Sequence, residues 1–439
     1  MRKPEKMFIY NLFPPLAGKF TGWGPHLERA AEMGFNWIFV NTIQQPGMSG
    51  SLYSIKDYFG INGKFVDPSD EHSPEEQVRA VVRKAEGLGL KLMADLVINH
   101  CAVDSPLLKE HPEWFEWQKN GEVVHPSADE NGRTVVWGDL ARFAHRKTKD
   151  KEGLYRFCKS VVEYLVGLGF HGFRCDAAYQ LPGSLWKRLI RETREKHNGV
   201  RFFAETLGCT ADQTRKTAAT GFDYIFNSSR WWDFKSAWLI EQYNLTRGIA
   251  ASIGFPESHD TVRLARELDG NVEAIKQRYL FSALFSAGVM VLMGFEFGFR
   301  RKPHVVETTP ADWEETGIDL REYIRDVNRL KESYTVFQEE SVTDFLHDGN
   351  PAVLLMWKCS CEAMDEALVI LNKDVHGKQH FEVESLQKYM QSKAPLTDVS
   401  VEHRLDYIPS PFSYDLRPGQ GIVLVTRREE PAREEEEGE

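Results

Sequence analysis

The segment KEGLYRFCKSVVEYLVGLGFHGFRCDAAYQLPGSLWKRLIRETREKHNGVRFFAE (residues 151–205) decides the fold. Two stretches in it, 151–168 and 182–197, carry apolar residues at helical spacing. Each is followed by a short run rich in aromatic residues, GFHGFRC (169–175) and RFFAE (201–205). This order of helix, strand, helix and strand predicts a parallel sheet whose strands are joined by helical crossovers.

The same alternation extends from about residue 7 to about residue 335. Eight strand candidates interspersed with helices predict an α/β fold, a (β/α)8 TIM barrel that spans residues 1–336. An open doubly wound sheet would also alternate, but no glycine-rich phosphate fingerprint follows the first strand. The other strand candidates are 6–13, 35–41, 90–98, 222–227, 251–255 and 289–294, and the other helix candidates are 25–34, 73–88, 271–287 and 319–332.

Three segments depart from the alternation. About fifty residues, 100–150, separate the third strand from its helix, and we expect this long loop to roof a functional site. From residue 337 to 427 short alternating apolar runs predict a C-terminal antiparallel β domain. The remaining residues, 428–439, are rich in glutamate and are predicted to be a disordered acidic tail.

Composition excludes several classes of partner. The net charge of −11 argues against a nucleic-acid partner, because phosphate binding needs clustered Lys and Arg. No segment reaches the roughly 18 to 20 apolar residues of a membrane span, so no membrane partner is expected. The opening MRKPEKMFIY lacks the apolar core of a secretory signal, which predicts a cytoplasmic location.

Polar residues cluster at the ends of four predicted strands. A lone carboxylate at such a place is usually a helix cap or a surface charge. A barrel, however, brings the carboxyl ends of all its strands to one rim, so the four clusters should line one concave face. They are Asp95, Asn99 and His100 at strand three, Arg174 and Asp176 at strand four, Glu205 at strand five, and Glu257, His259 and Asp260 after strand seven.

These four clusters resemble the four short sequence regions of the alpha-amylase family of glycoside hydrolases. The resemblance implies a retaining enzyme that acts on alpha-glucans or maltooligosaccharides, with Asp176 as nucleophile, Glu205 as general acid/base and Asp260 as third carboxylate. Cleavage of a glycosidic bond needs this division, since one carboxyl group protonates the departing oxygen while another attacks the anomeric carbon.

The same resemblance implies a set of substrate-binding side chains. The segment SLYSIKDY (51–58) is similar to the family's stretch after strand two, and by that match Tyr53 stacks on the sugar being cleaved. Arg174 lies two residues before Asp176 on the same strand face and should keep that carboxylate ionised. His100 and His259 are expected to hydrogen-bond the sugar, and Arg263 to tether one of the carboxylates.

Two polar positions are open to a structural explanation. Asp95 lies inside the third strand and is expected to be buried and paired, so that it is as readily structural as functional. Asn99 matches a position that binds calcium in many family members, but no ligand cluster elsewhere supports a metal. A site without metal or cofactor is therefore expected.

The sequence is compatible with two reactions, hydrolysis of a glycosidic bond and transfer of the glycosyl unit to an acceptor sugar. The residues after the nucleophile, 177–180 (AAYQ), depart from the Lys-His pair of many amylases. Two stretches, 99–115 and 319–331, resemble bacterial maltosyltransferases that use maltose 1-phosphate as donor, but those enzymes carry additional N-terminal domains. Hydrolysis of alpha-glucosidic bonds, chiefly alpha-1,4, is therefore expected first, transglycosylation second and a non-catalytic carbohydrate-binding relative third. Trp114, Trp117 and Trp137 of the long loop are expected to hold an acceptor sugar.

Overall fold

The computed structural model describes residues 5–130, 133–347, 349–361 and 364–427. The predicted acidic tail, 428–439, lies outside the described residues. Within the described ranges, no helix combines the length and the apolar character that crossing a membrane requires.

Eight parallel strands form a closed barrel, which confirms the predicted (β/α)8 fold. Each strand pairs with its neighbour in the chain, and β8 pairs with β1 to close the ring. The strands are β1 Phe8–Leu12, β2 Trp37–Val40, β3 Lys91–Leu96, β4 Gly172–Cys175, β5 Arg201–Ala204, β6 Tyr224–Phe226, β7 Ala251–Gly254 and β8 Gly288–Leu292.

Helices follow the strands around the outside of the barrel. Several begin at the polar residue that their sequence provides: Ser73 forms a capping box with Glu76, and Asp150 accepts a hydrogen bond from the backbone N–H of Gly153. The principal helices are α1 Gly24–Glu32, α2 Pro74–Gly87, α3 Lys151–Leu168, α4 Gly183–Lys196, α5 Ala211–Ala218, α6 Trp238–Thr246, α7 Val272–Phe285 and α8 Arg321–Ser333.

Large apolar side chains fill the barrel interior. Phe39, Met93, Phe203 and Ile253 belong to one buried cluster at its centre, each no more than 1% exposed. Because the interior is packed solid, polar side chains on the same strand faces can gather only at the carboxyl-terminal rim.

Two excursions rise from that rim. A hairpin pairs Gln44–Pro46 with Ile55–Ile61 between β2 and α2. The long loop after β3 has structure of its own, since His100–Ala102 pairs antiparallel with Leu140–Arg142 and a second hairpin pairs Ser127–Glu130 with Arg133–Val136. The loop therefore folds back on itself rather than crossing the surface as an extended chain.

The C-terminal part is an antiparallel β domain, as predicted. Five strands pair in the order β9-β10-β11-β15-β13, and β12 pairs with β14. Trp357, Ile370, Phe381 and Phe412 pack in the core between these two sheets. The strands are β9 Val342–Leu346, β10 Val353–Cys359, β11 Asp365–Asn372, β12 Gln379–Val383, β13 Thr397–Asp398, β14 Phe412–Leu416 and β15 Gly421–Arg427.

Candidate active site

The guanidinium of Arg174 is the centre of a cluster of four carboxylates. Its Nη1 donates to Asp95 Oδ1 at 2.9 Å and to Asp176 Oδ1 at 2.7 Å. Its Nη2 lies 3.0 Å from Glu205 Oε2 and 3.8 Å from Asp260 Oδ2. The barrel thus brings the three predicted catalytic carboxylates to one cation, as the strand-end pattern indicates.

Strand register produces this convergence. Arg174 pairs in register with Asp95 on β3, and Cys175 pairs with Ala204 on β5. Asp176 and Glu205 are therefore each one residue beyond a paired position, at the same height on adjacent strands. Since side chains alternate along a strand, Arg174 and Asp176 share the inward face.

Burial gives the carboxyl groups different proton affinities. Removal from water raises the pKa of Glu205 to about 8, with Arg174 opposing the shift and the negative charge of Asp176 adding to it. Burial likewise raises the pKa of Asp95 to about 7. Glu205 is therefore protonated at neutral pH, while Asp176 accepts a hydrogen bond from the charged guanidinium. One acid and one base in a single site is the arrangement that acid-assisted displacement needs.

The backbone of Ala177 also contacts Glu205. Ala177 has φ 39° and ψ 46°, a left-handed conformation that costs a residue with a Cβ about 1–2 kcal/mol. In this conformation its N–H donates to Glu205 Oε2 at 2.7 Å. Because Oε2 accepts from this amide and lies 3.0 Å from Arg174 Nη2, we place the proton of neutral Glu205 on Oε1. The sequence carries no signal for this contact, since it is made by the main chain.

Tyr53 and His259 form a second layer beside the carboxylates. The Tyr53 hydroxyl donates to Asp95 Oδ2 at 2.6 Å and lies 2.8 Å from His259 Nε2. Burial lowers the pKa of His259 to about 4, so the ring is neutral at physiological pH. The tyrosine hydrogen is committed to Asp95, so Nε2 of His259 carries a hydrogen that can be donated to Tyr53 or to Asp260, whose Oδ2 is 3.1 Å away. The predicted stacking of Tyr53 on a sugar stays a prediction.

His100 and Asn99 bring buried polar atoms to the same region. His100 Nε2 lies 3.1 Å from the carbonyl oxygen of Tyr53, and burial lowers the pKa of the imidazole. Neither His100 Nδ1 nor Asn99 Oδ1 has a hydrogen-bond partner among the described residues. In the same ranges no three His, Cys, Asp or Glu side chains are grouped to hold a metal ion. The expectation of a site without metal stays a prediction.

Arg263 lies elsewhere, and its predicted role was wrong. Its Nη1 donates to Glu257 Oε1 at 2.6 Å and its Nη2 to the carbonyl oxygen of Met293 at 2.8 Å. Both charged side chains are 1% exposed, so neither reaches a substrate. The reason is local: Glu257 accepts from Arg263 and also from the N–H of Leu264, where a short helix begins, so Arg263 is held at Glu257 on the same loop. The pair holds the loop that carries His259 and Asp260.

The three tryptophans of the long loop have unequal exposure. Trp114 is 5% exposed and its Nε1 donates to Asp150 Oδ2 at 2.9 Å, so it packs inside the loop instead of offering a face to a sugar. Trp117 is 45% exposed and Trp137 is 37% exposed. Only these two remain available as the platforms that the sequence predicts.

A further exposed tryptophan stands at the barrel mouth. Trp231 follows β6, is 50% exposed and meets Phe255 edge-on with ring centroids 6.2 Å apart. Phe255 directly follows β7 and belongs to the cluster that fills the barrel interior. Trp232, the next residue after Trp231, is 3% exposed and stacks on Phe345 of the C-terminal domain. The sequence shows two adjacent tryptophans, but only the tertiary structure distinguishes the platform from the core residue.

Several known proteins are similar to this chain in sequence. A family profile described as the glucanotransferase domain of glycogen debranching enzyme matches residues 4–119. An alpha-1,4-glucan:maltose-1-phosphate maltosyltransferase of Burkholderia pseudomallei is 24% identical over 382 residues, which cover 84% of this chain and 33% of the relative. The chain is thus similar in sequence to a maltosyltransferase of this description. A maltosyltransferase of the same description from Arcanobacterium haemolyticum is 27% identical over 294 residues, covering 62% of this chain and 40% of the relative.

Solved structures of alpha-amylases share the fold of this chain. An alpha-amylase from Lactobacillus plantarum superposes with a TM-score of 0.76 at 19% identity, over 96% of this chain and 98% of the other. An alpha-amylase from Geobacillus thermoleovorans, complexed with acarbose, superposes with a TM-score of 0.78 at 15% identity. The superposition covers 98% of this chain and 100% of the other. At these identities the likeness establishes the barrel and C-terminal β domain and nothing about the reaction.

The comparisons reorder the expected activities. The chain spans about a third of the first maltosyltransferase and two fifths of the second. Both relatives are named as transferases, so transglycosylation is better supported than the hydrolysis that the sequence ranks first.

Proposed function

We propose that this protein is a retaining alpha-glucan transglycosylase of the alpha-amylase family, which moves a short alpha-linked glucosyl unit from a donor to an alpha-1,4-glucan or maltooligosaccharide acceptor. The observation that carries the proposal is the contact of one guanidinium, that of Arg174, with both Asp176 and Glu205. The transferase names of the relatives support transfer over hydrolysis, and maltose 1-phosphate is the donor class that those names indicate.

Asp176 is the proposed nucleophile. Its Oδ1 accepts a hydrogen bond from Arg174, which orients the side chain, and the side chain is 14% exposed at the mouth of the barrel. In the first step an oxygen of Asp176 bonds to the anomeric carbon as the bond from that carbon to the leaving group breaks. The glycosyl unit is then held as an ester on Asp176.

Glu205 is the proposed acid and base. Its raised pKa keeps it protonated at neutral pH, and we place the proton on Oε1 because Oε2 accepts from the N–H of Ala177 and lies 3.0 Å from Arg174 Nη2. In the first step this proton moves to the departing oxygen. In the second step the carboxylate takes the proton from the acceptor hydroxyl, which attacks the anomeric carbon and releases Asp176.

Asp260 is proposed to bind the sugar hydroxyls. Its side chain is 52% exposed, in contrast to 14% for Asp176 and for Glu205, so it faces the space that a substrate would occupy. The neutral ring of His259 lies 3.1 Å from Asp260 Oδ2, and the two oxygens of Asp260 can accept hydrogen bonds from sugar hydroxyls. Tyr53 is stacked on His259, and its carbonyl oxygen contacts His100 Nε2, so both side chains adjoin this space.

Hydrolysis is the second candidate, and one observation favours it. The exposure of Asp260 means that water reaches the carboxylates when no sugar is bound. Transfer then requires that an acceptor sugar displaces this water, and the half-exposed Trp231 at the mouth is a surface on which a sugar ring can stack.

Product analysis separates the two reactions. The purified protein is incubated with maltoheptaose, and in parallel with maltose 1-phosphate plus maltoheptaose, and the products are resolved by chain length while reducing ends are counted. Transfer is expected to lengthen the acceptor with no rise in reducing ends. A stoichiometric rise in reducing ends with shorter products only would refute transfer and establish hydrolysis. Asp176→Asn is the control that should be inert in both reactions.

A further inference from the structure

A cleft of about 830 Å³ lies beside the active site and is lined by none of the three proposed catalytic carboxylates. The hairpin forms one wall, with Met48 and Phe59, and the start of the long loop forms the other, with His111 and Trp114. Phe157 of α3 contributes to the lining between them. This volume lies within the range of ligand-binding clefts, roughly 300 to 1,000 Å³.

Aromatic rings form a continuous surface in this cleft. The ring of His111 is stacked on that of Trp114, which is 5% exposed, with centroids 3.8 Å apart and planes within 7°, so His111 is the ring that this wall offers to a ligand. Phe157 joins the two walls, since its ring meets that of Trp114 at 5.5 Å and that of Phe59 at 6.3 Å. Phe59 is 41% exposed and Met48 is 78% exposed, so apolar surface faces solvent here. The C–H faces of sugar rings pack on such surfaces.

The charges of the cleft select against an anion. Lys56 Nζ pairs with Asp104 Oδ2 at 3.0 Å, so the one lysine among the described lining residues is already neutralised. Two further carboxylates, Asp57 and Glu110, also line the cleft. A phosphorylated sugar would meet net negative charge, whereas a neutral sugar chain would find carboxylate oxygens that accept from its hydroxyls.

The cleft is joined to the active site through the hairpin. Tyr53, which contacts Asp95 and His259, lies on the hairpin between its two strands. Tyr58, in the second strand of the hairpin, lines the cleft, and its hydroxyl donates to the carbonyl oxygen of His100 at 2.6 Å. A polymer held in the cleft is therefore held next to the proposed substrate-binding residues.

We propose that this cleft is a non-catalytic binding site for the neutral alpha-glucan acceptor, which anchors the polymer while another part of it enters the barrel mouth. The identification of the ligand as the acceptor rests on the proposed transferase function. The binding of a neutral alpha-glucan in this cleft does not rest on that function, so the binding site and the transferase function can be refuted separately.

Binding is tested in the Asp176→Asn background, in which the polysaccharide is not consumed. Native gel electrophoresis through increasing glycogen concentrations yields a dissociation constant for each variant. We expect Phe59→Ala and His111→Ala, one on each wall, to weaken retention by about five- to tenfold. Tyr407→Ala is the matched control, because Tyr407 is an aromatic residue that is 75% exposed in the C-terminal domain. Met48→Ser is a third cleft variant at a largely exposed position, where the substitution should not disturb folding, so weaker glycogen retention in this variant would not be due to misfolding.

Competition and kinetics complete the test. Maltoheptaose should displace glycogen from the parent protein, whereas inorganic phosphate should not. In the active protein, Phe59→Ala should raise the KM for glycogen severalfold and leave kcat and the KM for maltotriose unchanged.

Two outcomes overturn the inference: retention of Phe59→Ala, His111→Ala and Met48→Ser equal to that of the parent, or an equal loss of activity on maltotriose and glycogen. Loss of glycogen retention in a protein that only hydrolyses would support the binding site and refute the transferase function.

Discussion

Activity on donors with a poor leaving group should be lost as the pH rises through the pKa of Glu205. The proposed acid works only in its protonated form, and burial holds its pKa at about 8. About nine tenths of the protein is then competent at pH 7 and about one tenth at pH 9. Each further unit lowers kcat/KM about tenfold, which corresponds to about 1.4 kcal/mol of barrier.

The assay compares two donors across pH 5 to 10. With a maltooligosaccharide the departing sugar oxygen needs a proton, so the alkaline limb of kcat/KM should have its midpoint near 8. With maltosyl fluoride the leaving group needs little protonation, so kcat/KM should depend much less on pH in the alkaline range. The free-protein pKa governs kcat/KM, which makes this the parameter to follow.

Glu205→Gln is the matched variant, because the amide keeps the shape of the side chain and removes the proton. It should lower kcat/KM for the maltooligosaccharide by about 10² to 10⁴ and abolish the alkaline limb. An alkaline limb centred below pH 6 in the parent, or a limb near 8 that survives in Glu205→Gln, would refute the assignment of Glu205 as the acid.

Three further substitutions test other parts of the site. Asp176→Asn should lower activity by several orders of magnitude with little change in melting temperature, since the amide fills the same space but forms no glycosyl ester; a variant that keeps a tenth of the activity would place the nucleophile elsewhere. Arg263→Met should lower the free energy of unfolding by about 3–5 kcal/mol in denaturant titration, because it removes the cation that pairs with the buried carboxylate of Glu257. The double variant Arg263→Met/Glu257→Gln should recover part of this loss, since it also removes the unpaired carboxylate. Trp231→Ala should raise the KM for the acceptor about tenfold and increase the ratio of hydrolysis to transfer, with Tyr407→Ala unchanged; equal ratios in both variants would remove Trp231 from the acceptor site.

The strand order was predictable because each barrel strand is a short apolar run between turns. All eight candidates are strands of the barrel, with ends that differ by a few residues. Helices α5 and α6 were not predicted. The buried residues of α5 are Thr214, Thr217 and Ala218, which form no apolar stripe, and the apolar residues of α6 are spread around its circumference. Both helices are defined by packing and not by their own periodicity.

The sequence also carried less information about side-chain partners than about side-chain position. Asp95 was expected to be buried and paired, and it is, since it binds Arg174 and Tyr53. Arg263 was expected at the carboxylates and instead pairs with Glu257. The spacing along a strand determines a residue's face, whereas the partner of a long side chain on a loop depends on how that loop turns.

Sequence patterns are sufficient to predict the barrel, the C-terminal β domain and the gathering of Asp176, Glu205 and Asp260 at one rim. These features follow from local periodicity and from the rule that parallel strands end at a common edge. The folded structure was needed to show that Arg174 contacts all three carboxylates and that the N–H of Ala177 donates to Glu205. It was also needed to show that Trp231 is exposed while Trp114 is buried. Proton affinity and exposure depend on atoms brought together from distant parts of the chain, and a linear pattern does not specify those distances.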